Sequence, residues 1–208
     1  MFKFAKIALL AAVALSNSQF AQANLITNGG FEASSSPTTT PTGWANIGHS
    51  DGVFTYAQFG TPAYEGVNYY DLGGFGDSAG PIGDGIGQSF ATIVGSMYTV
   101  VFGLSAENGK GTETLTAAAG SASIDYVLSP DGAGAFKRPF ATQTFDFTAT
   151  SALTTLSFVH TAGTGGNNDP FIDGVSVELS TAAIPEPETY ALMLGGLGLL
   201  AFARKRSK

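Results

Sequence analysis

Apolar and polar side chains alternate over several short stretches of this chain, with turn residues between them. Ile86 to Thr92, Met97 to Ser105, Ser121 to Ser129, Gln143 to Ala149, Leu153 to His160 and Phe171 to Leu179 each send every second side chain to one side, the period of a half-buried β-strand. Segments such as Ser129-Pro130-Asp131-Gly132 supply the turns. In Ser121 to Ser129 one face is Ile124, Tyr126 and Leu128, and Phe145 and Phe147 repeat the pattern in the following strand; these faces are expected to form the core. Shorter or edge strands are expected at Asn24 to Ile26, Val53 to Tyr56 and Val67 to Leu72. About eight or nine strands with no helical period between them predict an all-β, two-sheet antiparallel sandwich with jelly-roll connections. Ser34 to Pro41, rich in Ser, Thr and Pro, reads as a mobile loop, and no repeat suggests a solenoid or propeller.

Both ends break the alternation. At the start, Lys3 and Lys6 lead into an apolar run from Ile7 to Leu15, followed by the small-x-small site Ala21-Gln22-Ala23. That order predicts a secretory signal peptide over residues 1–23, with a mature chain beginning at Asn24. At the other end, Pro185-Glu186-Pro187 precedes an almost uncharged run from Tyr190 to Ala203 and then Arg204-Lys205-Arg206. The apolar run is 14 residues long, short of the roughly 20 that span a bilayer as a helix. The basic cluster resists translocation and would stay on the cytoplasmic side, which places the body outside. Four parts are therefore expected: a signal peptide, a β-sandwich over 24–180, a linker over 181–184 and a tail over 185–208.

The tripartite tail resembles the PEP-CTERM sorting signal of Gram-negative bacteria. The resemblance implies an exosortase partner, processing at Pro185, Glu186 and Pro187, and transient anchoring in the inner membrane through a short transmembrane helix. It also implies delivery to the cell surface or the extracellular matrix.

Charge narrows the partners. Of the nine Lys and Arg residues only Lys110, Lys137 and Arg138 lie between the two ends, against fifteen carboxylates from Asn24 to Pro187, so that segment carries a net −12. No basic surface exists to displace counterions from phosphates, which excludes nucleic acid as a partner. The chain has no cysteine, so its stability rests on its core, and any metal site must use oxygen ligands or the histidines His49 and His160, which lack metal-ligand spacing.

The body opens with Asn24-Leu25-Ile26-Thr27-Asn28-Gly29-Gly30-Phe31-Glu32, then Gly43-Trp44, and closes with Phe171-Ile172-Asp173-Gly174-Val175-Ser176-Val177. Beginning and end are expected to meet. Together with Tyr70-Asp71-Leu72 and Gly85-Ile86-Gly87-Gln88-Ser89-Phe90 they resemble the galactose-binding-like jelly rolls, including choice-of-anchor surface proteins and the calcium-containing carbohydrate-binding modules attached to xylanases. Alternation places Phe171, Asp173, Val175, Val177 and Leu179 on one face of the last strand, and a carboxylate among apolar neighbours costs several kcal/mol unless paired or metal-bound. The resemblance implies a structural calcium shared by Glu32 and Asp173, although Gly174 stands where many such modules carry a second polar residue. The alternative is a carboxylate at the sheet end that accepts backbone N–H bonds.

A glycan site needs an aromatic face beside hydrogen-bonding groups. The aromatic cluster of the first half offers Tyr56, Tyr64, Asn68 and Tyr69 as candidate ligand-binding residues, and Trp44 is expected to pack near the sandwich end. Catalysis lacks context. Gly76-Asp77-Ser78-Ala79-Gly80 matches a nucleophile elbow and His160 lies downstream, but the Pro and Gly residues that follow forbid the helix the elbow needs. The sequence thus reads as an exported, non-enzymatic surface or matrix protein that associates with exopolysaccharide in biofilm or cell envelope. A small secreted hydrolase and a structural matrix protein with no small ligand are the alternatives.

Overall fold

The computed structural model describes residues 23–35, 40–48, 52–55, 60–73, 82–132, 138–164, 168–180, 194–197 and 204; for 52–55 only the backbone is described. Ten strands make up the body: β1 (Ala45–Ile47), β2 (Gly52–Thr55), β3 (Asn68–Asp71), β4 (Gly85–Ala91), β5 (Met97–Ala106), β6 (Glu113–Ala119), β7 (Ala122–Leu128), β8 (Ala141–Thr148), β9 (Leu153–Gly163) and β10 (Pro170–Leu179). They form two five-stranded sheets, β1-β4-β9-β6-β7 and β2-β3-β10-β5-β8, with every pairing antiparallel. Most chain connections after β3 cross from one sheet to the other, as in a jelly roll. Residues 22–180 form one compact unit.

The interior between the sheets is apolar and aromatic. Phe102 and Phe158 meet edge to face at 4.9 Å, Trp44 packs on Phe31 and Phe158, and Tyr98 stacks on Phe147. Trp44 is buried and its indole N–H donates to the Asn28 carbonyl, so it is a packing residue as expected. The opening and closing segments do meet: the Leu25 amide donates to the Val177 carbonyl and the Val175 amide to the Gly29 carbonyl. Asn24 strengthens this seam, its Oδ1 accepting from the Ile26 and Val177 amides. The segment Asn24 to Ile26 therefore runs along β10 without becoming a regular strand.

Two strands went unpredicted. β1 is three residues long, and β6, Glu-Thr-Leu-Thr-Ala-Ala-Ala, buries only small apolar side chains beside Leu115 and Glu113, too weak an alternation to read. Strand β7 forms where alternation places it, yet Ile124 is exposed and only Leu128 of the expected face is buried. The cause is position: β7 is the edge of its sheet, so part of its inward face overhangs the opposite sheet, while Tyr126 still reaches Phe102. Phe145 and Phe147 are buried as expected.

The last strand departs most from its predicted pattern. Its pairing with β5 shifts between Asp173 and Ser176, and Gly174 adopts φ +58°, a left-handed conformation that favours glycine. This bulge changes the phase of the strand. Ile172 pairs with Leu104 and faces the core, whereas Phe171 and Asp173 pair with Ser105 and Gly103 and face outwards; beyond the bulge Val175 and Val177 return to the core. Asp173 is consequently not among the core side chains that alternation gave it, although it is fully buried.

Four residues of the tail, 194–197, form a helical turn, and among the described residues no helix is long and apolar enough to cross a membrane. Residues 1–22 of the expected signal peptide, the 181–184 linker, Pro185, Glu186, Pro187, Lys205 and Arg206 lie outside the described residues.

Candidate functional site

A second, smaller apolar cluster lies on the outer face of the β2-β3-β10-β5-β8 sheet. Tyr69 and Phe171 are fully buried there, their rings 5.0 Å apart, with Ala63 and Phe140 packed against them. The lid over this cluster is the segment 60–67, which leads into β3, together with 138–140, which leads into β8. Tyr64 lies directly on the sheet: a Cβ added to Gly103 would come within 2.5 Å of its Cγ, and one added to Gly174 within 2.6 Å of its Cδ1. Two glycines facing outwards on neighbouring strands thus make the seat for one aromatic ring. Gly174, where a polar residue was expected from the resemblance, is required both by its backbone and by this contact.

Two carboxylates fasten the lid. Asp173 Oδ2 accepts from the Tyr64 and Glu65 amides at 2.8 and 3.0 Å, and its Oδ1 accepts from the Gly174 amide at 2.7 Å. Glu32 Oε1 accepts from the Val67 and Asn68 amides at 2.7 and 2.8 Å. Glu32 is aimed by the chain reversal around Phe31, a buried residue with φ +59°, an uncommon conformation for a bulky side chain. Glu32 and Asp173 do act together, on a loop.

The calcium expectation needs more than this. Calcium takes six to eight oxygens, and among the described residues no group of three or more His, Asp or Glu side chains converges to hold a metal ion. The five amide bonds to Glu32 and Asp173 match the alternative of a carboxylate that accepts backbone N–H groups. Burial, reinforced by the Glu65 carboxylate and opposed by the three amide bonds, pushes the Asp173 carboxyl up to about 7.

The other candidate ligand residues separate cleanly. Asn68 is buried and its amide donates to the Phe31 and Ser34 carbonyls, so it ties β3 to the opening segment. Tyr69 is sealed beneath the lid, and Tyr70, on the opposite face as alternation requires, is equally buried in the main core. Neither Asn68 nor Tyr69 can meet a ligand from solvent. Tyr56 lies outside the described residues. Tyr64 alone is open, 39% exposed, with its hydroxyl fixed 2.8 Å from Thr142 Oγ1. Beside it is a recess of about 310 Å³ lined by Pro62, Ala63, Tyr64, Pro139 and Phe140. The rings of Tyr64 and Phe140 are 6.3 Å apart. Phe140 and Thr142 complete this surface and carry no sequence signal that would have found them, because they belong to it only once the 138–140 segment folds over the sheet.

Of the residues of the hydrolase alternative, His160 is described. His160 is fully buried on β9 with Nε2 2.6 Å from Glu113 Oε2, out of reach of any substrate. Gly76 to Gly80 and His49 lie outside the described residues.

Comparison with known proteins now bears on both parts of the chain. Residues 183–207 match the PEP-CTERM protein-sorting motif. That motif indicates an exported protein sorted to the cell envelope. No curated protein sequence matches the chain. Among solved structures, the N-terminal CBM22-1-CBM22-2 tandem domain from Paenibacillus barcinonensis Xyn10C aligns with TM-score 0.51 and 12% identity, covering 80% of this chain and 48% of that one. A structure described as "CBM4 structure and function" gives TM-score 0.45 and 16% identity, covering 74% of this chain and 99% of that one. TmCBM61 in complex with β-1,4-galactotriose gives TM-score 0.47 and 13% identity over 76% of this chain and 99% of that one. At such identities the likeness, carried by the first of these alignments, concerns the fold alone, a two-sheet β-sandwich.

Proposed function

We propose that the chain is an exported, non-enzymatic protein whose β-sandwich binds exopolysaccharide at the Tyr64 recess, after an exosortase has processed the PEP-CTERM tail of a transiently membrane-anchored precursor in a Gram-negative cell. The observation that carries this reading is a sorting motif at 183–207 behind a sandwich that keeps the Tyr64 ring open on its outer face. A pyranose stacks its C–H face on such a ring, and fixed hydroxyls or carbonyls at the rim select among its hydroxyl groups. Tyr64 has the rigidity for this because Gly103, Gly174, Asp173 and Thr142 fix its backbone, ring and hydroxyl. Binding in the biofilm or cell envelope would follow from where sorting delivers the protein.

Mass spectrometry of the protein recovered from the cell surface tests the sorting step. A C-terminus near Pro185–Pro187 is expected, and a surface protein that keeps Arg204-Lys205-Arg206 would contradict it. A glycan array of the exported protein tests the ligand class, and the absence of binding to any polysaccharide would favour the structural matrix protein instead.

Calcium at Glu32 and Asp173 is not needed for this reading, since amide bonds already hold the loop. A chelator is expected to leave the melting temperature unchanged, and a fall of several degrees would place a cation there.

A further inference from the structure

The turns at the end of the sandwich where the chain enters and leaves are apolar and carry no charged residue, although the exposed carboxylates Asp146 and Glu178 flank Thr99 on the strands just behind them. Turn 92–96 joins β4 to β5 and turn 149–152 joins β8 to β9; the two are tied side by side by the Thr92 amide on the Ala152 carbonyl and the Gly95 amide on the Ala149 carbonyl. Ile93, Val94, Met97 and Leu153 project from this end and are 64%, 62%, 51% and 63% exposed, four of the nine large exposed apolar side chains among the described residues of the body. Ile93 also lines a recess of about 350 Å³ at this end, together with Leu25, Tyr98 and Leu179. Residues 92–97 and 147–154, which build these two turns, contain no Asp, Glu, Lys or Arg. Buried or partly buried carboxylates gather at the opposite end instead, at Asp71, Asp84, Glu107, Glu113 and Asp169.

We infer that this apolar end is a membrane-facing surface, seated on the lipid bilayer while the tail still anchors the chain. The inference rests on the anchored precursor of the preceding reading. The tether is short: Ser180 is the last residue of the body, bonded through its amide to the Met97 carbonyl, and the apolar run begins at Tyr190. Nine intervening residues reach at most about 30 Å when fully extended, so the body is held at a high effective concentration over the bilayer. The tether and the apolar turns then orient it. Ser180 leaves the body beside Met97, so this end faces the bilayer, and its four exposed apolar side chains enter the interfacial layer while Asp146 and Glu178 stay behind them at headgroup level. Single exposed apolar side chains are ordinary on a protein surface, whereas a contiguous patch marks an interaction site. Once the tail is processed the tether is lost, and such a shallow contact would release the body to the surface.

The test uses the full chain, which has no cysteine of its own. A polarity-sensitive fluorophore is placed at Val94→Cys or, as the opposite-end control, at exposed Lys110→Cys, and each chain is incorporated into phosphatidylcholine–phosphatidylglycerol vesicles with or without quencher-bearing lipids. A blue shift and loss of emission to the quencher lipids are expected at position 94 only. Replacing Ile93, Met97 and Leu153 by Ser, all exposed positions outside the core, should abolish both signals without lowering the melting temperature. Equal and negligible quenching at the two positions in chains that co-float with the vesicles would overturn the membrane-facing surface alone. Failure of the chains to co-float would overturn the anchored precursor as well. Efficient disulfide crosslinking of Val94→Cys chains without quenching would assign the patch to a second copy of the chain and overturn the inference too.

Discussion

The body contains two apolar clusters separated by the thickness of one sheet, and they are built by different means. The inner one spans nearly every strand and follows directly from alternation: Phe102, Phe145, Phe147, Phe158 and Val177 sit where period two puts them. The outer one, Tyr69 and Phe171 beneath Ala63 and Phe140, exists because β10 changes phase at Gly174 and because two carboxylates pull a loop down over the sheet. The first cluster holds the fold. The second sacrifices regular pairing and buries a carboxylate, which a purely structural sheet face would have no reason to do, and its product is one immobilised, exposed tyrosine.

That contrast orders the expected effects of mutation. Phe158→Ala empties the centre of the inner cluster, where the surrounding strands cannot collapse, and should cost about 3–5 kcal/mol, measured by chemical denaturation. Loss of less than about 1 kcal/mol would mean that the inner cluster is not the principal source of stability. Asp173→Ala leaves the Tyr64, Glu65 and Gly174 amides without their acceptor and should cost about 2–3 kcal/mol, with faster hydrogen exchange confined to the 60–67 segment. Exchange spreading across the inner strands would erase the distinction between the two clusters.

The pH dependence gives a smaller effect. Burial raises the carboxyl of Asp173 from 3.8 to about 7 and, with Asp169 beside it, that of Glu107 from 4.5 to about 7. Between the unfolded and folded values the native state holds protons that the unfolded chain has released, so stability falls as pH rises through this window and stays low above it. The melting temperature should therefore be higher at pH 5 than at pH 8, and Glu107→Gln should flatten part of the slope. A melting temperature that rises over this range would contradict the burial of these two groups.

Much of the fold was legible because a half-buried strand writes its environment into every second residue; β4, β5, β8 and β9 lie within a few residues of their predicted bounds. The failures have specific causes. β6 buries Glu113, Leu115, Ala117 and Ala119 and turns Thr114, Thr116 and Ala118 the other way, which carries little hydrophobic contrast. β7 has the right period but an edge position, so Ile124 stays exposed. In β10 a single left-handed glycine changed the face of Asp173, and period two cannot register a bulge. The resemblance implied a calcium shared by Glu32 and Asp173; the bonds these carboxylates accept from amides of 64–68 depend on long-range folding and left no sign in the sequence. Of the candidate ligand residues described, Tyr64 alone reaches solvent: it belongs to the lid itself, whereas Tyr69 lies beneath that lid, which only the long-range packing of 60–67 and 138–140 on the sheet creates.

The smallest effect on stability should accompany the largest effect on binding. Tyr64→Ala removes a ring that is 39% exposed and should cost below about 1 kcal/mol of stability. The decisive measurement is the affinity of the exported protein and of Tyr64→Ala for exopolysaccharide, by retardation in native gels containing the polymer. Retardation of the parent and at least about tenfold weaker binding by the variant are expected if the sugar stacks on this ring. Equal retardation of the two proteins would contradict the account.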